Sequence, residues 1–214
     1  MLVTAAIDST AFFHDKSFGA NDAVASIVVL LAAAEAIGRS GQVKSLSKQP
    51  MFFLANAEEM GYAGSRRFAR DITSGIDCAG RVQGSNTSSG LPLCTDPIYP
   101  TTLFERIMDA TITDAVAVDQ VGRLTNGALF LHSLAEEPYN LDVFQTVSDD
   151  MNGVSVSSSS VLNAVPPTPL SSFMKALPDL EGTGVVLSGY DAVFDDPTYH
   201  SRFDKDVSLE DITR

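Results

Sequence analysis

Tryptophan is absent from this chain, cysteine occurs twice and histidine three times, and the 14 Lys and Arg are about half as many as the 27 Asp and Glu. The resulting net charge of −13 excludes nucleic acid as a partner, because phosphate backbones are held by Lys and Arg. No basic patch interleaved with aromatics is present. No apolar run reaches the roughly 20 residues that span a bilayer. The segment 23–37 comes nearest, but it carries Glu35 and reads as a buried helix. A secretory leader is not evident either. Met1 is followed at once by the strand-like Leu2-Val3-Thr4-Ala5-Ala6-Ile7, with no basic n-region and no long apolar h-region. A chain that opens inside a strand reads as a piece of a longer protein. No internal repeat is visible.

What remains is an ordinary globular composition, 44% hydrophobic over 214 residues, enough for one domain with a sizeable core. Cys78 and Cys94 flank a loop rich in Gly, Ser, Asn and Thr that contains the sequon Asn86-Thr87-Ser88. Two cysteines closing a polar loop around a sequon fit an oxidising compartment, a disulfide and glycosylation at Asn86. The region 75–100 is expected to be an insertion closed by that disulfide, within a single partial domain over 1–214.

Strands are expected at 3–7, 51–55, 112–121, 128–134 and 184–188. Helices are expected at 22–37, capped by Asn21 or Asp22 and ended by Gly38, from Gly64 to Ile72, at 103–110 and at 170–177. The run at 51–55 is continuously apolar, as in a strand covered on both faces. Serines 155–160 form a low-complexity stretch, and Pro166-Pro167-Thr168-Pro169 marks a turn or linker. Strands alternating with helices argue for an α/β three-layer sandwich with a mainly parallel central sheet.

The chemistry concentrates where strands end. Leu54-Ala55 leads into Ala57-Glu58-Glu59-Met60-Gly61-Tyr62-Ala63-Gly64-Ser65, and ligands of α/β sheets bind at that edge. A Glu pair there can divide duties between metal ligand and general base; a lone pair is otherwise a solvated loop. Asp8, Asp22, Asp119 and His200 lie at or near other strand ends. The order resembles the co-catalytic zinc aminopeptidases, in which His-x-Asp is followed by a bridging Asp, Glu-Glu, Asp and a late His. That resemblance implies Asp22 as bridging ligand, Glu58 as general base, and Glu59, Asp119 and His200 as further ligands. The chain departs at the front, where Ala6 occupies the leading His position; His14 is nearby at the wrong spacing.

Further residues narrow the resemblance. Asp8-Ser9-x-x-Phe12-Phe13, Gly19-Ala20, Ala23-Val24-Ala25-Ser26, Leu31-Ala32-Ala33-Ala34-Glu35-Ala36, Pro167-x-x-x-Leu170 with Phe173, and Gly184-Val185-Val186-Leu187 resemble the ectodomain of the nicastrin family. Gly61-Tyr62-Ala63-Gly64-Ser65 stands at the place of that family's Asp-Tyr-Ile-Gly-Ser, departing at Gly61 and Ala63. The resemblance covers most of the chain and is weakest over 78–100 and the serine run.

It implies a non-catalytic receptor or gatekeeper subunit of γ-secretase, partnered by presenilin and the other subunits. It further implies type I membrane protein stubs as substrates, as in Notch signalling, a lumenal or extracellular position, and a single membrane helix C-terminal to this region. Under it Glu58 meets the substrate's free N-terminus, or is an inherited scaffold residue bonded to a neighbouring loop. Tyr62 is a packing residue or a substrate contact, and Asp22 a helix cap or a site residue. No cofactor is expected. The alternative is a zinc-dependent aminopeptidase with Asp22, Glu59 and His200 as a three-ligand site and water in the fourth position. His132 reads as structural.

Overall fold

The computed structural model describes residues 1–74, 80–82, 93–96, 111–149, 154–194 and 196–207. In chain order the elements are β1 (Leu2–Ala6), α1 (Ala25–Arg39), β2 (Met51–Ala55), α2 (Ala63–Ser74), β3 (Gly80–Val82), β4 (Leu93–Asp96), β5 (Ala115–Asp119), β6 (Ala128–Ser133), α3 (Leu141–Asp149), β7 (Ser155–Ser158), α4 (Pro169–Ala176) and β8 (Gly184–Ser188). Six strands form one sheet in the order β2-β1-β5-β8-β6-β7. β2, β1, β5 and β8 run parallel, while β6 pairs antiparallel with β8 and parallel with β7. β3 and β4 form a separate antiparallel pair, within the region expected to be an insertion. Cys78, Asn86 and the helix expected at 103–110 lie outside the described residues, as does the side chain of Cys94.

The continuous apolarity of the central strands has the expected cause, because helices cover both faces. On one face Leu2, Ala115, Ala117 and Val186 meet Ala69 and Ile72 of α2 and Leu170, Phe173 and Met174 of α4. Phe53 stacks on Phe68 at 4.3 Å and meets Phe173 edge-on at 5.5 Å. On the other face Ala25 and Val29 of α1 pack on Val118 and Val121, and Leu141 and Phe144 of α3 on Leu131, Val156 and Val185. The chain is thus a three-layer α/β sandwich with a mainly parallel sheet.

Several local expectations are corrected. Asn21 and Asp22 do not cap α1. They lie within a preceding π turn, Ala20–Val24, and their peptide N–H groups donate to the Asp204 carboxylate at 2.8 and 3.1 Å. A carboxylate from the far end of the chain has replaced the local cap. Gly38 lies inside α1, which ends at Arg39, and Gly41 is the glycine that turns left-handed, φ 69°. α1 also buries only one face, through Ala25, Ser26 and Leu30, and leaves Val28 and Leu31 exposed. The serine run is the edge strand β7, held by Val156 pointing inward between outward serines. Pro169 opens α4 at its first turn, where the missing N–H costs nothing. α3 has no counterpart among the expected helices.

Candidate functional site

Register places the functional edge. Ala6 pairs with Ala55, and Asp119 with Ser188, so the parallel strands β1, β2, β5 and β8 end together. The segments beyond these ends carry Asp8 and Asp22, then Glu58 and Glu59, then Gln120, then Tyr199 and His200. They enclose a cleft of about 200 Å³ lined by, among others, Ala6, Asp22, Glu58, Glu59, Tyr62, Asp119, Pro167, Tyr199 and His200.

The β2–α2 turn is built tightly. Ala57 and Tyr62 are left-handed, each with φ 60°, and the N–H of Ala63 donates to Ala57 O at 3.0 Å. Gly64 is required here, since a Cβ on it would sit 2.0 Å from Asn56 O. The peptide N–H groups of Glu58 and Glu59 donate to the two oxygens of Asp8 at 3.0 and 3.1 Å. Asp8 therefore clamps the Glu pair from the end of β1.

The two glutamates then diverge. Glu58 turns inward, 4% exposed. It accepts the Ser65 peptide N–H at 2.8 Å and the Ser65 hydroxyl at 2.6 Å, while the Ser172 hydroxyl lies 2.8 Å from that same serine oxygen. Ser65 is the third residue of α2, so Glu58 caps this helix in the manner of a capping acceptor. Burial raises its carboxyl, with the Ser65 hydrogen bonds opposing. Glu59 turns outward, and its Oε1 lies 3.1 Å from Nε2 of His200.

Asp22 is the most perturbed acid of the cleft. It is 8% exposed, and its Oδ2 has no hydrogen-bond partner among the described residues. His200 Nε2 lies 3.6 Å from that oxygen. Burial first, then the nearby Asp119, Glu59, Asp204 and Asp8, pushes its carboxyl up to about 8, so Asp22 keeps its proton at neutral pH. Asp119 is pushed up to about 6 by burial, against hydrogen bonds from the Tyr190 hydroxyl at 2.9 Å and Gln120 Nε2 at 3.4 Å. The His200 ring stacks on Tyr199 with centroids 3.8 Å apart, on a left-handed residue of φ 53°.

Among the described residues, Asp22, Glu59 and His200 each present a ligand atom within 4.8 Å of the other two. Two carboxylates and one imidazole, one of them an orphaned buried oxygen, fit a single zinc-like ion with an open position. A second ion does not fit in the same way: Ala6 presents a methyl to the cleft, Glu58 is committed to Ser65, and Asp119 to Tyr190. Tyr62 is half-buried on the cleft rim, with burial raising its phenol. His132 is buried and does not line the cleft; its Nε2 lies 2.9 Å from Ser188 Oγ and 3.1 Å from Tyr190 O.

Asp22, Glu58, Glu59, Tyr62, Asp119 and His200 thus line one cleft. Asp8 was singled out only as an upstream carboxylate, and its clamp on the two Glu amides was not foreseen. Ser65, Asp204 and Tyr199 were missed. Ser65 had a signal, since a Ser inside the first turn of a helix can bond an upstream acid. Asp204 had none, because its partners Asn21 and Asp22 lie far away in sequence; Tyr199 was visible only as the neighbour of His200, on which it stacks.

The family model of the nicastrin large lobe matches residues 1–213. Nicastrin of Arabidopsis thaliana is 28% identical over 213 residues, covering 95% of this chain and 28% of that protein. The chain spans about a quarter to a third of the length of the curated relatives it matches. The crystal structure of the γ-secretase component nicastrin superimposes with a TM-score of 0.80 at 24% identity, covering 99% of this chain and 37% of that one. A Zn-dependent exopeptidase from Parabacteroides distasonis shares the fold at a TM-score of 0.60 and 13% identity, over 99% of this chain and 68% of its own.

Proposed function

The chain belongs to the nicastrin large-lobe family, and from that premise we propose that it is the peptidase-like ectodomain of a non-catalytic receptor subunit of γ-secretase. In this role it partners presenilin and the other subunits and admits type I membrane protein stubs by their free N-termini. It faces the lumen or cell exterior, carries the Cys78–Cys94 disulfide and a glycan on Asn86, and is anchored by a helix C-terminal to this region.

One observation carries the receptor role. The cleft holds four carboxyl groups, Asp22, Glu58, Glu59 and Asp119, with His200 as its one basic side chain among the lining residues. Burial first, and then the negative charge confined there, pushes Asp22 and Asp119 upward. A compact monocation such as a terminal ammonium relieves that repulsion and gives the unpartnered Asp22 oxygen a donor. Recognition of a terminal amine by convergent acceptors is a known peptide-binding mode. The test is binding of a short peptide to the full chain, with its N-terminus free or acetylated. Loss of binding on acetylation, and weakening by Glu58→Gln and Asp22→Asn, supports the role. Equal binding of both peptides overturns it.

A second function is favoured by the Asp22, Glu59 and His200 cluster, namely a zinc-dependent aminopeptidase. These three side chains would hold the ion, which supplies a Lewis acid and an acidified water. Glu58 would hold the transferred proton. Its raised carboxyl suits a base, but both of its oxygens already accept from Ser65, and Ala6 offers no ligand for a second ion. Little or no turnover is therefore expected. Zinc content measured together with hydrolysis of aminoacyl reporters distinguishes the two functions, with Glu58→Gln as the control.

A further inference from the structure

Two residues that line the acidic cleft each hold a buried polar atom with no hydrogen-bond partner among the described residues. One atom is Asp22 Oδ2 and the other is Thr168 Oγ1. Thr168 is 3% exposed, and a buried hydroxyl left without a partner costs stability. A local use was available to it. Thr168 is the N-cap residue of α4, and threonine is favoured there because its oxygen accepts from amides of the first turn. Here the hydroxyl makes no such bond. Pro169, at the first helical position, has no N–H to be capped, and the Ser171 N–H donates to the Thr168 carbonyl at 3.0 Å. The neighbouring prolines also fix how Thr168 is presented. Its backbone is extended, φ −140° and ψ 169°, as a following proline requires, and Pro167 and Pro169 line the cleft on either side of it. The hydroxyl is thus withheld from the helix and held at the cleft by a stiff segment.

We propose that Thr168 is a specificity residue for chain ends: its hydroxyl donates to the first carbonyl oxygen of a peptide whose free α-amine donates to Asp22 Oδ2. This rests on the receptor role proposed above and names what the site reads. The two unpartnered atoms together complement an α-aminoacyl group, which carries a cationic donor and a carbonyl acceptor on neighbouring carbons. A lysine side chain carries the same ammonium with no carbonyl beside it, and so leaves the Thr168 hydroxyl unsatisfied. A site built to hydrogen-bond a ligand group discriminates against the analogue that lacks it. Negative charge alone attracts any ammonium group. The added hydroxyl separates a chain terminus from the lysines of a protein surface.

The experiment uses the full chain and three fluorescent peptides, read by anisotropy. The first has a free N-terminus and no lysine. The second is the same peptide acetylated. The third is acetylated and begins with Lys, so that its one ammonium has no carbonyl beside it. The free peptide is expected to bind about tenfold more tightly than the lysine peptide. Thr168→Val keeps the branched shape and removes the hydroxyl. It is expected to weaken the free peptide about tenfold and to leave the lysine peptide unchanged, while Thr168→Ser keeps the preference. Without ligand, Thr168→Val is expected to melt no lower than the wild type, because the hydroxyl it loses has no partner. A purely structural threonine gives the opposite pattern, a lower melting temperature with both peptides weakened alike. That pattern, an unchanged affinity of the free peptide for Thr168→Val, or a lysine peptide that binds as tightly as the free one, overturns the assignment of Thr168, while acetylation still reports on the receptor role. An acetylated peptide that binds as tightly as the free one overturns the receptor role and the role of Thr168 with it.

Discussion

Glu58 and Ser65 are joined twice, the carboxylate accepting both the peptide N–H and the hydroxyl of the serine at 2.8 and 2.6 Å, with Ser65 fully buried. The glutamate that a peptidase would use as its base is here also the cap of α2. Ser65→Ala keeps the N–H bond and removes the hydroxyl from between two buried partners, Glu58 and Ser172. Stability is expected to fall by about 1–3 kcal/mol, the cost of leaving buried polar groups unsatisfied. Thermal unfolding measures it, and a melting temperature equal to the wild type would show that the pair contributes nothing.

Asp8 holds the Glu pair in place through its two peptide N–H groups. Asp8→Asn leaves one acceptor and turns an amide donor toward the other N–H. Hydrogen exchange at the Glu58 and Glu59 amides is expected to quicken by about tenfold or more, corresponding to the roughly 1.5–3 kcal/mol of a charged hydrogen bond. Unchanged protection would mean that the turn is held by its left-handed residues alone.

Asp196 supplies an acid-dependent lock across the loops that flank the cleft. It accepts from Arg123 at 2.9 Å, from Asn21 Nδ2 at 2.9 Å, and from the Thr198 N–H at 2.8 Å. Burial works to raise its carboxyl, but the hydrogen bonds from Thr198 and Asn21 and the Arg123 charge outweigh it and hold the group below its usual value. A pKa lowered by folding contributes stability above the unfolded value, about 3.9, and loses it as pH falls through the folded one. Asp196→Asn is expected to be less stable than the wild type at pH 7, with the difference closing below about pH 4. Denaturant titrations at the two pH values check this, and a gap independent of pH would refute it.

Asp22 has the opposite sign. Its carboxyl is pushed up to about 8, so folding favours the protonated form. Stability from that form is complete below the unfolded value near 4 and is lost as pH rises through the folded value. Without added metal, Asp22→Asn is expected to match the wild type in acid and to exceed it in stability above about pH 8. Zinc reverses the order if Asp22, Glu59 and His200 hold it. At a hundredfold excess over Kd the wild type gains about 2.7 kcal/mol, while the variant gains little. Equal stabilisation of both proteins by zinc rules out this three-ligand site.

The strands were readable because their signal is local. Met51–Ala55 and Gly184–Ser188 are short continuous apolar runs, and they are strands over those same residues. β7 was hidden because its inward Val156 is outnumbered by serines, and α3 because Leu141–Asp149 is short and mixes apolar and polar residues, although Asn140 precedes it as an N-cap type. The candidate cleft was readable for a topological reason. Once strands alternate with helices in a parallel sheet, the residues at and beyond each strand end arrive at the same edge; Asp119 ends β5, and Asp22, Glu58 and His200 each follow a strand.

By itself the sequence determined the central strands, their burial on both faces and the edge at which the acids gather, since hydrophobic period depends on near neighbours. Only the tertiary structure decided what each acid does there. Glu58 faces inward to Ser65, while the adjacent Glu59 faces outward to His200, 141 residues away. Asp204 accepts from the peptide N–H groups of Asn21 and Asp22, which cap nothing themselves, and Asp22 Oδ2 faces the cleft with no hydrogen-bond partner among the described residues. Such pairings follow from chain closure over long separations, and local pattern carries no record of them.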